Sequence, residues 1–163
     1  VEPVYRWELV VPQRAVDANG HVNNVVYVEW LQEVARRHAE AAGCTGATRA
    51  AGATWVVREH RIQYLRPGFG GERLEVRTWV ATMQRARSLR RTEVARAADG
   101  ALLARGWTDW VFVDAAGGHP RLIPPGVAGT FTLVPEPPAG DRGARRAAAG
   151  GGSLRDLGPD DLG

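Results

Sequence analysis

The sequence contains no lysine, and all 21 of its basic residues are arginine. That excludes a Schiff-base lysine, a phosphate-loop lysine and a Ser-Lys dyad, and several enzyme classes with them. Serine is almost absent too. Ser88 and Ser153 are the only two and neither lies in Gly-x-Ser-x-Gly, so a nucleophile-elbow hydrolase is excluded. The single cysteine, Cys44, rules out a disulfide framework and a multi-cysteine zinc site. It agrees with a reducing compartment, and cytoplasm is the expected location. No apolar run reaches the length of a membrane span, and Glu2, Pro3, Arg6 and Glu8 interrupt the start before a secretory pattern forms, so no membrane association is expected. The four histidines, His21, His38, His60 and His119, show no metal-ligand spacing; neither a metal nor another cofactor is expected.

What is present describes one ordinary domain: 163 residues, 44% hydrophobic and 24% charged. A chain of that size buries roughly two-thirds of its unfolded surface and needs no covalent staple. The pI near 9.7 raises the question of nucleic acid. However, residues 1–135 carry 17 Arg diluted by 13 acids, and no nucleic-acid reading motif accompanies them, so no nucleic-acid partner is expected. The one dense basic stretch is Arg85, Arg87, Arg90 and Arg91. It reads either as solvated charge on a hairpin edge or as an anion-binding group. From residue 136 the composition turns to Pro, Gly, Ala and Arg, with Pro137-Pro138 and Gly150-Gly151-Gly152. This divides the chain into a folded domain, 1–135, and a tail, 136–163, that reads as disordered and carries no site.

Within the domain, Val4 to Val11 is β-like and closed by Pro12, and a polar turn-rich segment follows. From Val25 to about Ala42, Val28, Leu31, Ala35 and Ala39 recur at helical spacing, with Glu33–Arg37 and Arg36–Glu40 placed to pair along the other face. Gly43 and Gly46 mark the helix end, a small-residue loop follows, and Cys44 beside a negative helix terminus is a poor nucleophile. Four extended segments come next: Thr54–Leu65, Arg73–Arg85, Ser88–Ala97 and Ala101–Asp114. Asp99-Gly100 joins the last two as a two-residue hairpin with both residues at positive φ. The last segment is apolar on both faces and is expected to be central, or covered by a partner. One long helix and a run of antiparallel strands make the fold α+β, with the helix on one face of a curled sheet. A second copy of the chain is the economical cover for the other face.

The chemistry concentrates in Asp17-Ala18-Asn19-Gly20-His21-Val22-Asn23-Asn24, directly before the helix. First-turn N–H groups lack intrahelical partners and sit at the positive end of the helix dipole, so the N–H groups near Asn24 and Val25 are candidate oxyanion donors for an acyl carbonyl. Asp17 is placed to act as general base on water or as nucleophile, with Asn19 and His21 orienting. Asn23, Tyr27 and Trp30 are candidate substrate contacts. The plain alternative makes Asn23 or Asn24 a helix cap and His21 a structural hydrogen bonder. Asp, amides and His within eight residues exceed what capping requires.

The motif Asp-x-Asn-x-His-Val-Asn-Asn, with Tyr27 and Trp30 on the following helix, resembles the hotdog-fold acyl thioesterases, both the 4-hydroxybenzoyl-CoA thioesterase-like branch and the acyl-ACP thioesterases. Tyr64-Leu65-Arg66-Pro67, Gly71-Glu72-Arg73-Leu74-Glu75-Val76 and Trp110-Val111-Phe112-Val113-Asp114 are similar to that branch as well. The resemblance spans residues 4–134. It implies a long helix wrapped by an antiparallel sheet, a dimeric double hotdog or a homotetramer, and active sites at the dimer interface. It further implies an acyl-CoA or acyl-carrier-protein thioester as substrate, Asp17 as the catalytic carboxylate, Asn19 and His21 as its amide and imidazole, and a backbone N–H at Asn24 for the thioester oxygen. Arg85, Arg87, Arg90 and Arg91 become candidate contacts for nucleotide phosphates or an acidic carrier. One departure is clear. The acyl-ACP branch carries a Glu-Cys pair where this chain has Pro67-Gly68, so its fuller catalytic network does not transfer; Glu59 and His60 lie upstream and read as structural. Two rival readings remain, an enoyl-thioester hydratase on the same fold and a non-catalytic acyl-thioester-binding module. The hydratase pattern has Asn-Pro and a His five residues after the Asp, whereas here His21 follows Asp17 by four.

Overall fold

The structure, a computed structural model, describes residues 2–136. All but the first residue of the tail expected over 136–163 therefore lie outside the described residues. Five strands form one antiparallel sheet: β1 (Tyr5–Val10), β2 (Ala53–Tyr64), β3 (Arg73–Val80), β4 (Arg87–Arg96) and β5 (Leu102–Asp114), in the order β1-β3-β4-β5-β2. Three helices accompany it, α1 (Asn24–Ala41), α2 (Cys44–Ala50) and the short α3 (Pro125–Ala128). Among the described residues no helix is long and apolar enough to cross a membrane.

α1 begins where the Asn23 side chain accepts the Val25 N–H at 3.0 Å, the usual asparagine cap. It ends at Gly43, whose φ of +82° is open to glycine at little cost. Both expected ion pairs form: Glu33 accepts from Arg37 at 2.7 Å, and Arg36 reaches Glu40 at 2.9 Å as well as Glu33. The buried stripe is Tyr27, Trp30, Leu31, Val34, Ala35 and His38, so it is wider than the Val28–Ala39 stripe and places His38 in the core. Asn23→Ala is expected to cost about 1 kcal/mol, the usual value of such a cap. Urea denaturation of the purified variant measures it, and an unchanged midpoint contradicts the capping role.

The strands obey period two. Leu74, Val76, Thr78 and Val80 face the helix from β3, and Ser88, Arg90, Thr92 and Val94 do so from β4. β5 lies between β4 and β2, inside the sheet. A bulge opposite Val94/Ala95 sets Leu103 into the same buried cluster as Ala104, although the two are sequence neighbours. α1 lies so low over β5 that a Cβ on Gly106 would come within 2.5 Å of Leu31 Cδ2.

Four expectations are corrected. The small-residue loop after α1 is the helix α2, and Cys44 opens it, buried, instead of trailing a helix C-terminus. Thr48, one turn on, fixes α2 by accepting the Trp55 indole N–H at 3.1 Å. β3 stops at Val80, and residues 81–86 form a loop in which Arg85 takes φ +56°. The β4–β5 connection has only Gly100 at positive φ and closes with Gly100 N–H on the Arg96 carbonyl, a wider turn than a two-residue hairpin. Finally, β4 is the middle strand of the sheet, so its arginines do not decorate an edge.

Candidate active site

Asp17 sits in a tight loop before α1. Its Oδ1 accepts the backbone N–H of Asn19 at 2.9 Å and of His21 at 3.2 Å, while Asp17 N–H donates to the His21 carbonyl at 2.8 Å. Gly20, at φ +80°, makes this reversal possible. The loop is pinned from both sides: Asn23 N–H binds the Ala15 carbonyl and Val22 N–H binds the Gly68 carbonyl, both at 2.8 Å. A Cβ on Gly68 would lie 3.1 Å from both the Tyr27 hydroxyl and Val22, so glycine lets the 68–71 turn close against the loop.

This arrangement leaves Asp17 Oδ2 without a protein partner among the described residues. The carboxylate lies at the edge of a cavity of about 250 Å³ lined by His21, Asn24, Tyr27, Tyr64 and Leu65–Pro67. Tyr64 donates its hydroxyl to the Asn24 carbonyl at 3.0 Å, and its ring meets that of Tyr27 at 5.3 Å. Burial pushes the Tyr27 phenol up from its ordinary value, so it stays protonated.

The helix terminus differs from the expectation in one respect. The Val25 N–H is taken by the Asn23 cap, and Val26 N–H binds the Asn23 carbonyl. The Asn24 N–H has no acceptor among the described residues, and it remains as a first-turn donor at the cavity. Asn23 is accordingly a cap. Asn19 contributes its backbone to the Asp17 turn, and its side chain does not line the cavity. His21 lines it, but its ring packs edge-on against Phe69 at 5.1 Å and forms no side-chain bond to Asp17 among the described residues. Trp30 packs beneath Tyr27 in the core and does not reach the cavity. The cavity's opposite wall is Tyr64 to Pro67, a segment whose sequence resembles the thioesterase branch but carries no local sign of belonging to the site.

The four arginines do not form one patch. Arg87 pairs with Asp109, and Arg91 pairs with Glu136 and stacks on Trp107 at 4.4 Å, on the sheet face away from α1. Arg85 lies in the β3–β4 loop, and Arg90 turns inward to His38. His60 also turns inward: its Nδ1 lies 2.9 Å from the Thr108 hydroxyl, a structural bond. Among the described residues no cluster of His, Cys, Asp or Glu is placed to hold a metal.

Burial, with the nearby Arg90 cation, lowers the His38 pKa from 6.5 to about 4. His38 is thus neutral in the fold and becomes charged at higher pH once unfolded. Its contribution to stability is present above about pH 6.5 and is lost as pH falls towards 4. His38→Gln keeps an acceptor for Arg90 but cannot titrate. It is expected to flatten part of the fall in thermal midpoint between pH 6.5 and 4.5, and parallel curves for variant and wild type would contradict this.

Comparison with known proteins agrees with this layout. The structure is similar to a 1,4-dihydroxy-2-naphthoyl-CoA thioesterase from Synechocystis, at 17% identity and TM-score 0.71 over 78% of this chain and 95% of that one. An acyl-ACP thioesterase from Bacteroides thetaiotaomicron gives 21% and 0.75 over 83% of this chain and 56% of that longer one. A hypothetical protein from Staphylococcus aureus, solved in complex with CoA, gives 15% and 0.73 over 83% and 90%. No curated protein matches the chain. A five-stranded antiparallel sheet against one long helix is the hotdog fold of these thioesterases. The chain itself belongs to the thioesterase-like superfamily, whose sequence model matches residues 11–131.

Proposed function

We propose that the protein hydrolyses an acyl thioester of coenzyme A or of an acyl carrier protein at the Asp17 cavity. One observation carries this reading: a carboxylate with one oxygen tied into its own loop and the other free shares a small cavity with an open helix N-terminus. Asp17 takes the proton of a water as that water's oxygen bonds to the thioester carbonyl carbon. The Asn24 N–H, at the positive end of α1, holds the oxyanion that forms. Collapse breaks the C–S bond, and the proton on Asp17 passes to the leaving thiolate, giving a carboxylic acid and a thiol. Tyr27 and Tyr64 wall the acyl group. Arg66, exposed at the rim, replaces the β4 arginines as the contact for phosphate, since two of those are already paired with carboxylates.

The site is open on one side in a single chain. β2 is a twelve-residue edge strand with Val56 exposed, and pairing it with β2 of a second copy makes a continuous sheet and closes the site as a homodimer. Free-thiol release from a panel of short, long and aromatic acyl-CoA and acyl-carrier thioesters tests the activity. Light scattering of the same sample is expected to give at least twice the mass of one chain. Water added to an enoyl thioester with no thiol released would overturn the hydrolase reading in favour of a hydratase.

A further inference from the structure

Under the last turns of α1 the core changes character. The sheet presents Thr78, Arg90, Thr92 and Thr108 to the helix there, all buried, and α1 meets them with His38. This polar belt lies between two apolar clusters, one around Leu74 and Leu103 and the other around Phe112 and Val127. Arg90 is only 5% exposed. Its Nη1 donates to His38 Nδ1 at 2.9 Å and to the Thr78 hydroxyl at 3.1 Å, and the guanidinium lies 5.3 Å from the Phe131 ring centre. An arginine only donates, so His38 accepts and is the Nε2–H tautomer. Among the described residues no carboxylate stands within ion-pair reach of Arg90, and its Nε and Nη2 have no partner. Burying a cation without a counter-charge is among the costliest arrangements in a protein interior.

A cavity of about 350 Å³ adjoins this cation, between α1, α2 and the start of β2, within the size range of small-molecule sites. Its body is apolar, with Ala35, Trp55 and Phe131 among its walls, and among the described residues no Asp or Glu lines it. Two residues that line it have unused donor capacity among the described residues: the Trp110 indole N–H is buried without an acceptor, and the buried Ser88 hydroxyl has no side-chain bond. Arg49 stands at the mouth. Ala35 lies eleven residues along α1 from Asn24, roughly 16 Å at 1.5 Å per residue, so this cavity is separate from the Asp17 cavity of the same chain.

We propose that this second cavity binds a carboxylate with an apolar body, its charge seated on Arg90 and its remaining lone pairs met by Trp110 and Ser88. The carboxylate is either that of a free acid or the distal carboxylate of a dicarboxylic acyl group. The test is calorimetric titration of the full-length protein with benzoate and octanoate, each against its neutral amide. At least one acid is expected to bind saturably and at least tenfold more tightly than its amide. Arg90→Met erases that preference, Trp110→Phe weakens it several-fold, and Asp17→Asn leaves it unchanged. Equal binding of acid and amide, no binding of either acid, or an Arg90→Met protein that binds as wild type overturns the proposal. Should Arg90→Met not fold, an unaltered preference in Trp110→Phe overturns it instead.

A kinetic arm separates the sources. Hexadecanedioyl-CoA, whose chain is long enough to span the roughly 16 Å between the two cavities, with a KM at least tenfold below that of hexadecanoyl-CoA, a gap lost in Arg90→Met, assigns the site to the acyl group. Equal KM values alongside saturable acid binding assign it to a free acid. The titration needs no turnover, so failure of the hydrolase reading and failure of this one are distinguishable.

Discussion

Asp17→Asn is expected to lower kcat/KM for every thioester the wild type hydrolyses by roughly 10²- to 10⁴-fold, with the fold intact. The substitution is well suited to the geometry. Asparagine keeps an oxygen at Oδ1, so the N–H groups of Asn19 and His21 retain their acceptor and the loop its shape. What is removed is the charge and basicity at Oδ2, the oxygen left open to the cavity. Asp17→Ala removes both and is expected to match the loss of activity while also loosening the loop. A single turnover in ¹⁸O-water adds the chemistry: label in the product acid marks Asp17 as a base acting on water, and label in the Asp17 carboxylate marks it as a nucleophile. An Asp17→Asn protein with full activity would falsify the assigned site.

That loop was legible in the sequence because its residues are contiguous: the acid, the glycine needed for reversal and the asparagine cap all fall between positions 17 and 23. The second wall of the cavity, Tyr64 to Pro67, lies some forty residues further on and meets the loop only because Val22 pairs with Gly68. Nothing local in either segment specifies that pairing. The same limit explains the oxyanion donor. Asn23 and Asn24 are equivalent as letters, and the cap decides which N–H groups of the first turn are used and which stays open.

In the fold, long periodic elements were readable and short or tertiary-held ones were not. β3 alternates cleanly, so its extended character is plain from the sequence. α2 is seven residues, six of them small, with a glycine inside it, and its Cys, Gly and two Thr are poor helix formers. It exists because Cys44 and Thr48, one turn apart, are both buried and the Trp55 indole reaches Thr48. The arginine stretch shows a different failure. Linear density groups Arg87, Arg90 and Arg91, whereas a strand sends neighbours to opposite faces, so Arg90 joins Ser88 and Thr92 in the interior while Arg91 stacks on Trp107 outside.

Gly106 is where the fold and the site meet most directly, and replacing it is expected to disturb both stability and activity. A Cβ there would press on Leu31 Cδ2 at 2.5 Å, and Leu31 is 2% exposed with little room to move aside. Gly106→Ala therefore overpacks the helix–sheet contact and is expected to cost roughly 1–3 kcal/mol, with Gly106→Val worse. Leu31→Ala, which opens a void at the same point, is expected to cost about 2–5 kcal/mol alone. The two errors are complementary in volume, so the double variant is expected to lose less than the sum of the single losses, with a coupling of at least about 1 kcal/mol. Denaturant curves of all four proteins measure it, and strict additivity would show that α1 does not rest on β5 at this point. The same contact sets the height of α1, whose first turn carries the Asn24 N–H and Tyr27 into the Asp17 cavity. Gly106→Ala is accordingly expected to depress kcat while remaining folded at low temperature, because the oxyanion donor moves with the helix and Asp17, held in its own loop, does not.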